Sequence, residues 1–187
     1  MGVRMELPGR ASPDAAEERP AERAAERPAT ELTRTNTAQA AIGMAAAIIC
    51  VGGLAVAAKM PLVLSSFGSS CVLLFGYPKS PFCRPRNFIG GHMVSSAVGL
   101  ACLYAGGPEY WMMGVAVATS FIAMQFTRTI HPPAGGNPVI LFLTNADWSF
   151  LWFPTLAGTL VVQAVAFAHL WMLRKTQLCS HTKSRRD

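Results

Sequence analysis

The sequence predicts an all-α integral membrane protein. The expected form is a helical bundle of four long transmembrane helices plus two short broken helices, arranged as two weak internal repeats. Three observations predict it. Of the 187 residues, 51% are hydrophobic and only 14% charged, where an ordinary soluble domain carries about 25% charged residues. The charges are crowded at the ends: thirteen precede residue 35 and six lie at or after Arg174, which leaves Lys59, Lys79, Arg84, Arg86, Glu109, Arg128 and Asp147 for everything between. That interior divides into apolar segments at approximately 38–58, 62–77, 88–105, 110–127, 131–145 and 149–173. Four of them come near the roughly 20 residues that a helix needs to span a bilayer.

Residues 1–36, with runs such as DAAEERPAERAAERPATE, hold seven acids against six arginines, and Pro13, Pro20 and Pro28 interrupt any long helix. We read a disordered or partly helical cytoplasmic tail. It is too acidic for an organelle transit peptide and has no apolar core of a secretory signal. The membrane domain follows at 37–174, with repeats at about 38–105 and 110–173, and then a basic C-terminal tail at 175–187.

Within the membrane domain, 38–58 reads as a long helix. The next segment, LVLSSFGSSCVLLFGY, is short and interrupted by small residues. The loop PFCRPRN carries Arg84 and Arg86, which are read as anchors to lipid headgroups, with Arg86 and Asn87 the alternative lining of an entrance. In IGGHMVSSAVG, Gly91, Ser95 and Gly99 recur every four residues, a small-residue stripe that permits close helix packing. His92 beside it is read first as a hydrogen-bonded interior histidine and second as a coupling group. Segment 110–127 is again long. HPPAGGNPVILFLTN is the second broken segment, and 149–173 is the last long helix. Trp111, Trp148, Trp152 and Trp171 lie near segment ends, as an interfacial belt requires.

At an offset of 67, Gly68, Val72, Leu74 and Phe75 fall on Gly135, Val139, Leu141 and Phe142, and six further identities follow up to Leu103 on Leu170. This pairs the two broken segments. If both cross the membrane, there are six crossings and the repeats are inverted. If both only dip in, there are four crossings and the repeats are parallel. Six crossings place Lys79, Arg84, Arg86, Arg128 and the C-terminal basic residues on the cytoplasmic side with the N-terminus, so the positive-inside bias favours that arrangement.

The broken segments also carry the functional expectation. Backbone that leaves helical geometry at membrane depth is buried in protein or faces water, and half-helix N-termini there favour an anion. Ser65, Ser66, Gly68, Ser69 and Ser70 precede one short helix; Gly135, Gly136 and Asn137 precede the other, with Pro138 suited to its first turn. Of these, Gly68, Ser69, Ser70, Gly135, Gly136 and Asn137 form the candidate substrate site. His131 is either an anion donor or a satisfier of loop backbone, Asn137 an amide donor or a turn former. Arg128 is added as a charge, although anchoring at the interface is its favoured role. No Asp or Glu lies inside an apolar segment, so coupling to protons would fall to His92 or His131, and a facilitator is favoured.

Several classes are set aside. The net charge of +6 comes from basic residues scattered singly, so no nucleic-acid partner is expected. The five cysteines form no CxxC pair, and neither a disulfide framework nor a bound metal or other cofactor is expected. A metalloenzyme using His92 and His131 lacks any HExxH or carboxylate cluster, so no enzyme activity is expected. The remaining partners are the lipid bilayer, a small anion and a homo-oligomer, for which the Gly91, Ser95 and Gly99 stripe is one contact face unless it packs within the protomer. A membrane scaffold or sensor is the alternative function.

The segments SSFGSSCVLLF, PRNFIGGHMVSSAVG and TRTIHPPAGGNPVI, in this order, resemble the HPP family of small integral membrane proteins, named for a His-Pro-Pro found here at His131, Pro132 and Pro133. The resemblance covers about residues 40–172. It implies four membrane-spanning helices and, from plastid and cyanobacterial members, nitrite as a cargo. With no transit segment or fused soluble domain in view, we expect a bacterial inner membrane with cytoplasmic N- and C-termini.

Overall fold

The computed structural model describes residues 34–59 and 64–183, so nearly all of the expected N-terminal tail lies outside the described residues. Among the described residues every regular element is helical. Helix α1 spans Arg34–Ala58. Helix α2, Ser66–Cys71, runs directly into a π-helical turn at Val72–Gly76. A 3₁₀ turn at Pro81–Cys83 leads to α3, Pro85–Gly106, and α4 spans Tyr110–Thr127. A second 3₁₀ turn at Pro132–Gly136 opens into α5, Asn137–Thr144. A π-helical turn at Leu151–Leu156 then precedes α6, Ala157–Lys183.

Local chemistry sets these boundaries. The Ser80 hydroxyl accepts from the Phe82 amide, and Pro85 occupies the first turn of α3, where its missing N–H is harmless. Gly107, at φ 76°, ends α3 in a conformation that L side chains rarely adopt. Arg128 and Asn145 take left-handed conformations that stop α4 and α5.

Three described helices are long and apolar enough to cross a membrane: Thr37–Ala57, Pro85–Gly106 and Leu151–Lys175. That is one fewer than the four expected. The expected fourth, 110–127, forms α4 at 18 residues. Polar Thr119, Ser120, Gln125 and Thr127 dilute its apolar character. The last helix is also longer than expected, continuing through Lys183 into what read as a tail.

Polarity is inverted relative to a soluble protein. Phe126, Val56, Leu143 and Ile49 are 70–85% exposed, while His92, His131, Asn137, Ser70 and Thr155 are fully buried. A surface this apolar needs lipid rather than water.

The packing fixes how the segments run. Residues 129–142 lie alongside α3 in the same direction. A Cβ at Gly91 would come within 2.7 Å of the Thr129 carbonyl oxygen, and one at Gly99 within 2.8 Å of Leu141 Cδ1 and 3.1 Å of Pro138 Cα. Between them Ser95 Oγ donates to the Ala134 carbonyl at 2.7 Å, and Leu103 packs with Phe142 at the far end. The Gly91, Ser95 and Gly99 stripe is thereby used inside the protomer and is not an exposed contact face for another copy. Tyr104 stacks on Trp148, bringing the 145–150 loop to the Gly106 end of α3. At the opposite end Arg86 donates to the Thr127 carbonyl at 3.0 Å. Gly43 of α1 packs on Phe75 and His169. Exposed Lys79, Arg84, Arg86, Arg128, Arg174 and Lys175 therefore gather at one end, with Lys59, Glu109 and Asp147 at the other.

Candidate functional site

The two broken segments meet α3 in the interior and assemble a buried polar cluster. From α2 come Ser66 and Ser70, one helical turn apart and both inward. From α3 come His92 and Ser96 at the same spacing, from the 3₁₀ turn His131, from the start of α5 Asn137, and from the turn before α6 Thr155. Phe67 and Phe88, fully buried, hold the imidazoles edge-on, with centroids 5.5 Å and 5.2 Å from His92 and, for Phe88, 5.1 Å from His131.

Elementary donor–acceptor logic orders the cluster. His131 Nδ1 lies 2.9 Å from the Phe82 carbonyl, which only accepts, so Nδ1 carries the proton. In a neutral ring Nε2 is then bare and accepts from the Ser70 hydroxyl at 3.0 Å. With that proton committed, Ser70 accepts from His92 Nε2–H at 3.1 Å. His92 Nδ1 is left bare and accepts from Asn137 Nδ2 at 3.1 Å. The same amide nitrogen donates to Ser96 Oγ at 2.8 Å, and the Ser96 and Thr155 hydroxyls share a hydrogen bond at 3.0 Å. Asn137 Oδ1 accepts from Ser66 Oγ at 2.8 Å. The result is one chain of donors running from Asn137 to the Phe82 carbonyl, with a branch to α6.

Of the residues singled out from sequence, Ser66, Ser70, His131 and Asn137 come together here, and His92 joins them. Gly136 borders the cluster, 3.9 Å from Ser66 Cβ for an added Cβ, whereas a Cβ at Gly135 would meet nothing within 4 Å. Gly68 and Ser69 face outward from α2, Ser69 bonding back to the Ser66 carbonyl at 2.9 Å. Arg128 is exposed at the end of α4, apart from the cluster.

The backbone also departs from expectation. The serines lie within α2 rather than before it, and the Phe67 and Gly68 amides already donate to Leu64 and Ser65 carbonyls. The Ala134 and Asn137 amides are likewise taken by His131 and Ala134 carbonyls. These four amides are therefore already committed, and the polar side chains of the cluster are the donors described above.

Ser96 and Thr155 were not picked out from sequence, whereas Ser66 was marked with its neighbours in the SSFGSS run. Thr155 in LWFPTLAG has no local mark, because its partner Ser96 is 59 positions away.

Nearer the basic end, Cys83 Sγ donates to the Leu73 and Tyr77 carbonyls, each at 3.2 Å, pinning the loop beneath the π turn. Burial pushes its thiol up to about 11, opposed by a hydrogen bond with Ser80. At the other end Ser149, through its side chain and its amide, holds the exposed Asp147 carboxyl below its ordinary range. Among the described residues no three His, Cys, Asp or Glu side chains converge as metal ligands would.

Comparison with known proteins places this architecture. The family model described as the HPP transmembrane region matches residues 29–177. A transmembrane protein of Dictyostelium discoideum is 36% identical over 117 residues, covering 58% of this chain and 41% of that relative. A second transmembrane protein of the same organism is 35% identical over 112 residues, covering 56% of this chain and 36% of its own length. The chain thus spans about two fifths of the length of the curated relatives it matches. No solved structure matches it. An apolar helical domain built around the His-Pro-Pro turn, matched over most of its length, belongs to the HPP family of transmembrane proteins.

Proposed function

We propose that this protein is a transporter or channel for a small inorganic anion, with nitrite as the cargo that the family resemblance suggests. The observation that carries the reading is the fully buried cluster of Ser70, His92, His131 and Asn137. Polar side chains at membrane depth are costly and mark substrate paths. Every member of this cluster is uncharged or an imidazole, and the exposed basic residues other than Lys59 lie at one end of the bundle, so the chemistry suits an anion rather than a cation. The cargo passes Ser70 within α2 and His131 and Asn137 where α5 begins. With no carboxylate among the cluster's hydrogen-bond partners, we read a facilitator and not an enzyme.

The same reading takes both broken segments as crossings, making six in two inverted repeats. Its support is the run of residues 129–142 beside α3, which follows that helix from Gly91 to Leu103. At 1.5 Å per residue this is roughly 18 Å, well beyond a shallow dip into a core of about 30 Å. The basic end, where both described termini lie, is then cytoplasmic. The bacterial inner membrane remains an expectation from sequence, since the relatives named above come from a eukaryote.

One observation favours a scaffold instead: the cluster satisfies its own hydrogen bonds. Liposomes decide between the two. Purified protein should carry nitrite, nitrate, formate or chloride faster than empty vesicles do. The His131→Ala, Asn137→Ala double variant should lower that flux about tenfold or more, the equivalent of one or two charge-assisted hydrogen bonds. No flux with any of the four anions sinks the proposal. A double variant that loses stability but carries anions at the parent rate points to packing alone.

A further inference from the structure

Away from the cluster, a cleft of ≈ 590 Å³ opens at the basic end between α6 and the 78–85 loop. Arg84 and Arg174 line its mouth, and no acidic side chain lines it anywhere. Gln163, also lining it, stands eleven residues before Arg174 on the same helix, about 16 Å along the axis. The cleft therefore reaches from the end of the bundle towards the middle of the membrane. Gln163 is 7% exposed, and its Oε1 has no hydrogen-bond partner. A buried amide left this way is unfavourable unless something else pairs with it. Thr159 precedes Gln163 by four residues on α6 and Thr155 lies four residues earlier, in the π-helical turn that leads into it; both are fully buried. Thr155 is bonded to Ser96, and Ser96 to Asn137. A polar stripe thus connects the cleft floor to the cluster.

The geometry points to this cleft as a binding vestibule for a small monovalent anion, gathered by Arg84 and Arg174 and passed by Gln163, Thr159 and Thr155 towards Ser96 and Asn137. The choice of ligand class rests on the anion-transport reading above. Two guanidinium groups with no acid beside them raise the local anion concentration. An anion needs a donor, so the proposal requires the Gln163 amide to turn by half a rotation about its last bond, which exchanges the unpartnered Oε1 for Nε2–H at the cleft; that N–H then replaces part of the hydration shell without fixing the anion there by charge. A lipid phosphate would satisfy the same arginines, and the test separates the two.

Trp171 lines the cleft and serves as reporter. A Trp111→Phe, Trp148→Phe, Trp152→Phe variant leaves it as the only one of the four tryptophans. In phosphatidylcholine nanodiscs, iodide should quench Trp171, and adding Arg84→Gln with Arg174→Gln should cut the iodide quenching constant about threefold. Quenching by neutral acrylamide should not change, which controls for misfolding. Equal iodide quenching in parent and double variant overturns the site. In nanodiscs containing phosphatidylglycerol the difference should persist; if the anionic lipid abolishes it, the arginines hold lipid phosphate and the proposal fails.

In liposomes, Gln163→Leu should cut anion flux to about a tenth and Gln163→Asn should retain most of it. If the parent carries no anion while the iodide effect persists, the transport reading falls and the vestibule stands. If the parent carries anions and neither the arginine nor the Gln163 variants alter flux or quenching, the vestibule falls alone.

Discussion

Ser70 has one proton to donate and two imidazole nitrogens to satisfy, and the tautomers of His92 and His131 are set so that it needs no more. A typical side-chain hydrogen bond inside a membrane protein is worth well under about 1 kcal/mol, because the unfolded helices find other partners. Ser70 is different, since its loss would leave the Nε2 atoms of two fully buried rings without their partner. Orphaned buried polar groups cost roughly 1–3 kcal/mol. We expect Ser70→Ala to lower the stability of the detergent-solubilised protein by that amount, measured by reversible unfolding in mixed micelles. A variant as stable as the parent would show that the hydroxyl does not bridge the rings.

Among the elements, α3 is the spine, and its small residues record which segment leans on which. Gly91 lies against backbone at Thr129, whereas Gly114 on α4 has nothing within 4 Å of a would-be Cβ. Gly91→Ala should therefore destabilise by about 1–3 kcal/mol through overpacking, and Gly114→Ala should be neutral or slightly stabilising. Thermal unfolding of the two variants side by side checks this, and equal shifts would contradict the packing.

Much of this level was legible in sequence. Four-residue spacing exposed the stripe on α3, and Gly-Gly-Asn-Pro exposed the start of α5, with Pro138 in its first turn. What was not legible depended on long-range partners. Nothing near Thr155 or Gln163 marks them, because one answers to Ser96 across the bundle and the other to a cleft. The start of α2 at Ser66 also escaped, since it depends on the preceding Leu64 and Ser65 carbonyls taking up the Phe67 and Gly68 amides. Arg128 drew attention as a charge beside the His-Pro-Pro turn, yet a left-handed residue closing α4 sends it outward to the basic end.

For the molecule as a whole, the arrangement of ends is testable without knowing the cargo. Ser80 shares a cleft with Arg174 at the basic end, and Asp147 lies beside Trp148 at the other. Cysteines placed at Ser80 and Asp147 should be labelled by an impermeant maleimide from opposite sides of the membrane, Ser80 from the cytoplasm. Labelling of both from the outside would restore four crossings. The buried donor chain has a further consequence at this scale. A Grotthuss relay must reset after each hop by turning every bond in it around. Here one terminus is the Phe82 carbonyl, which has no proton to return, and the other is the Asn137 amide, which holds its protons too tightly to pass them on. As folded, the chain is a latch and not a proton wire. If an anion moves past Ser70, as proposed, it must first break bonds that the protein makes with itself.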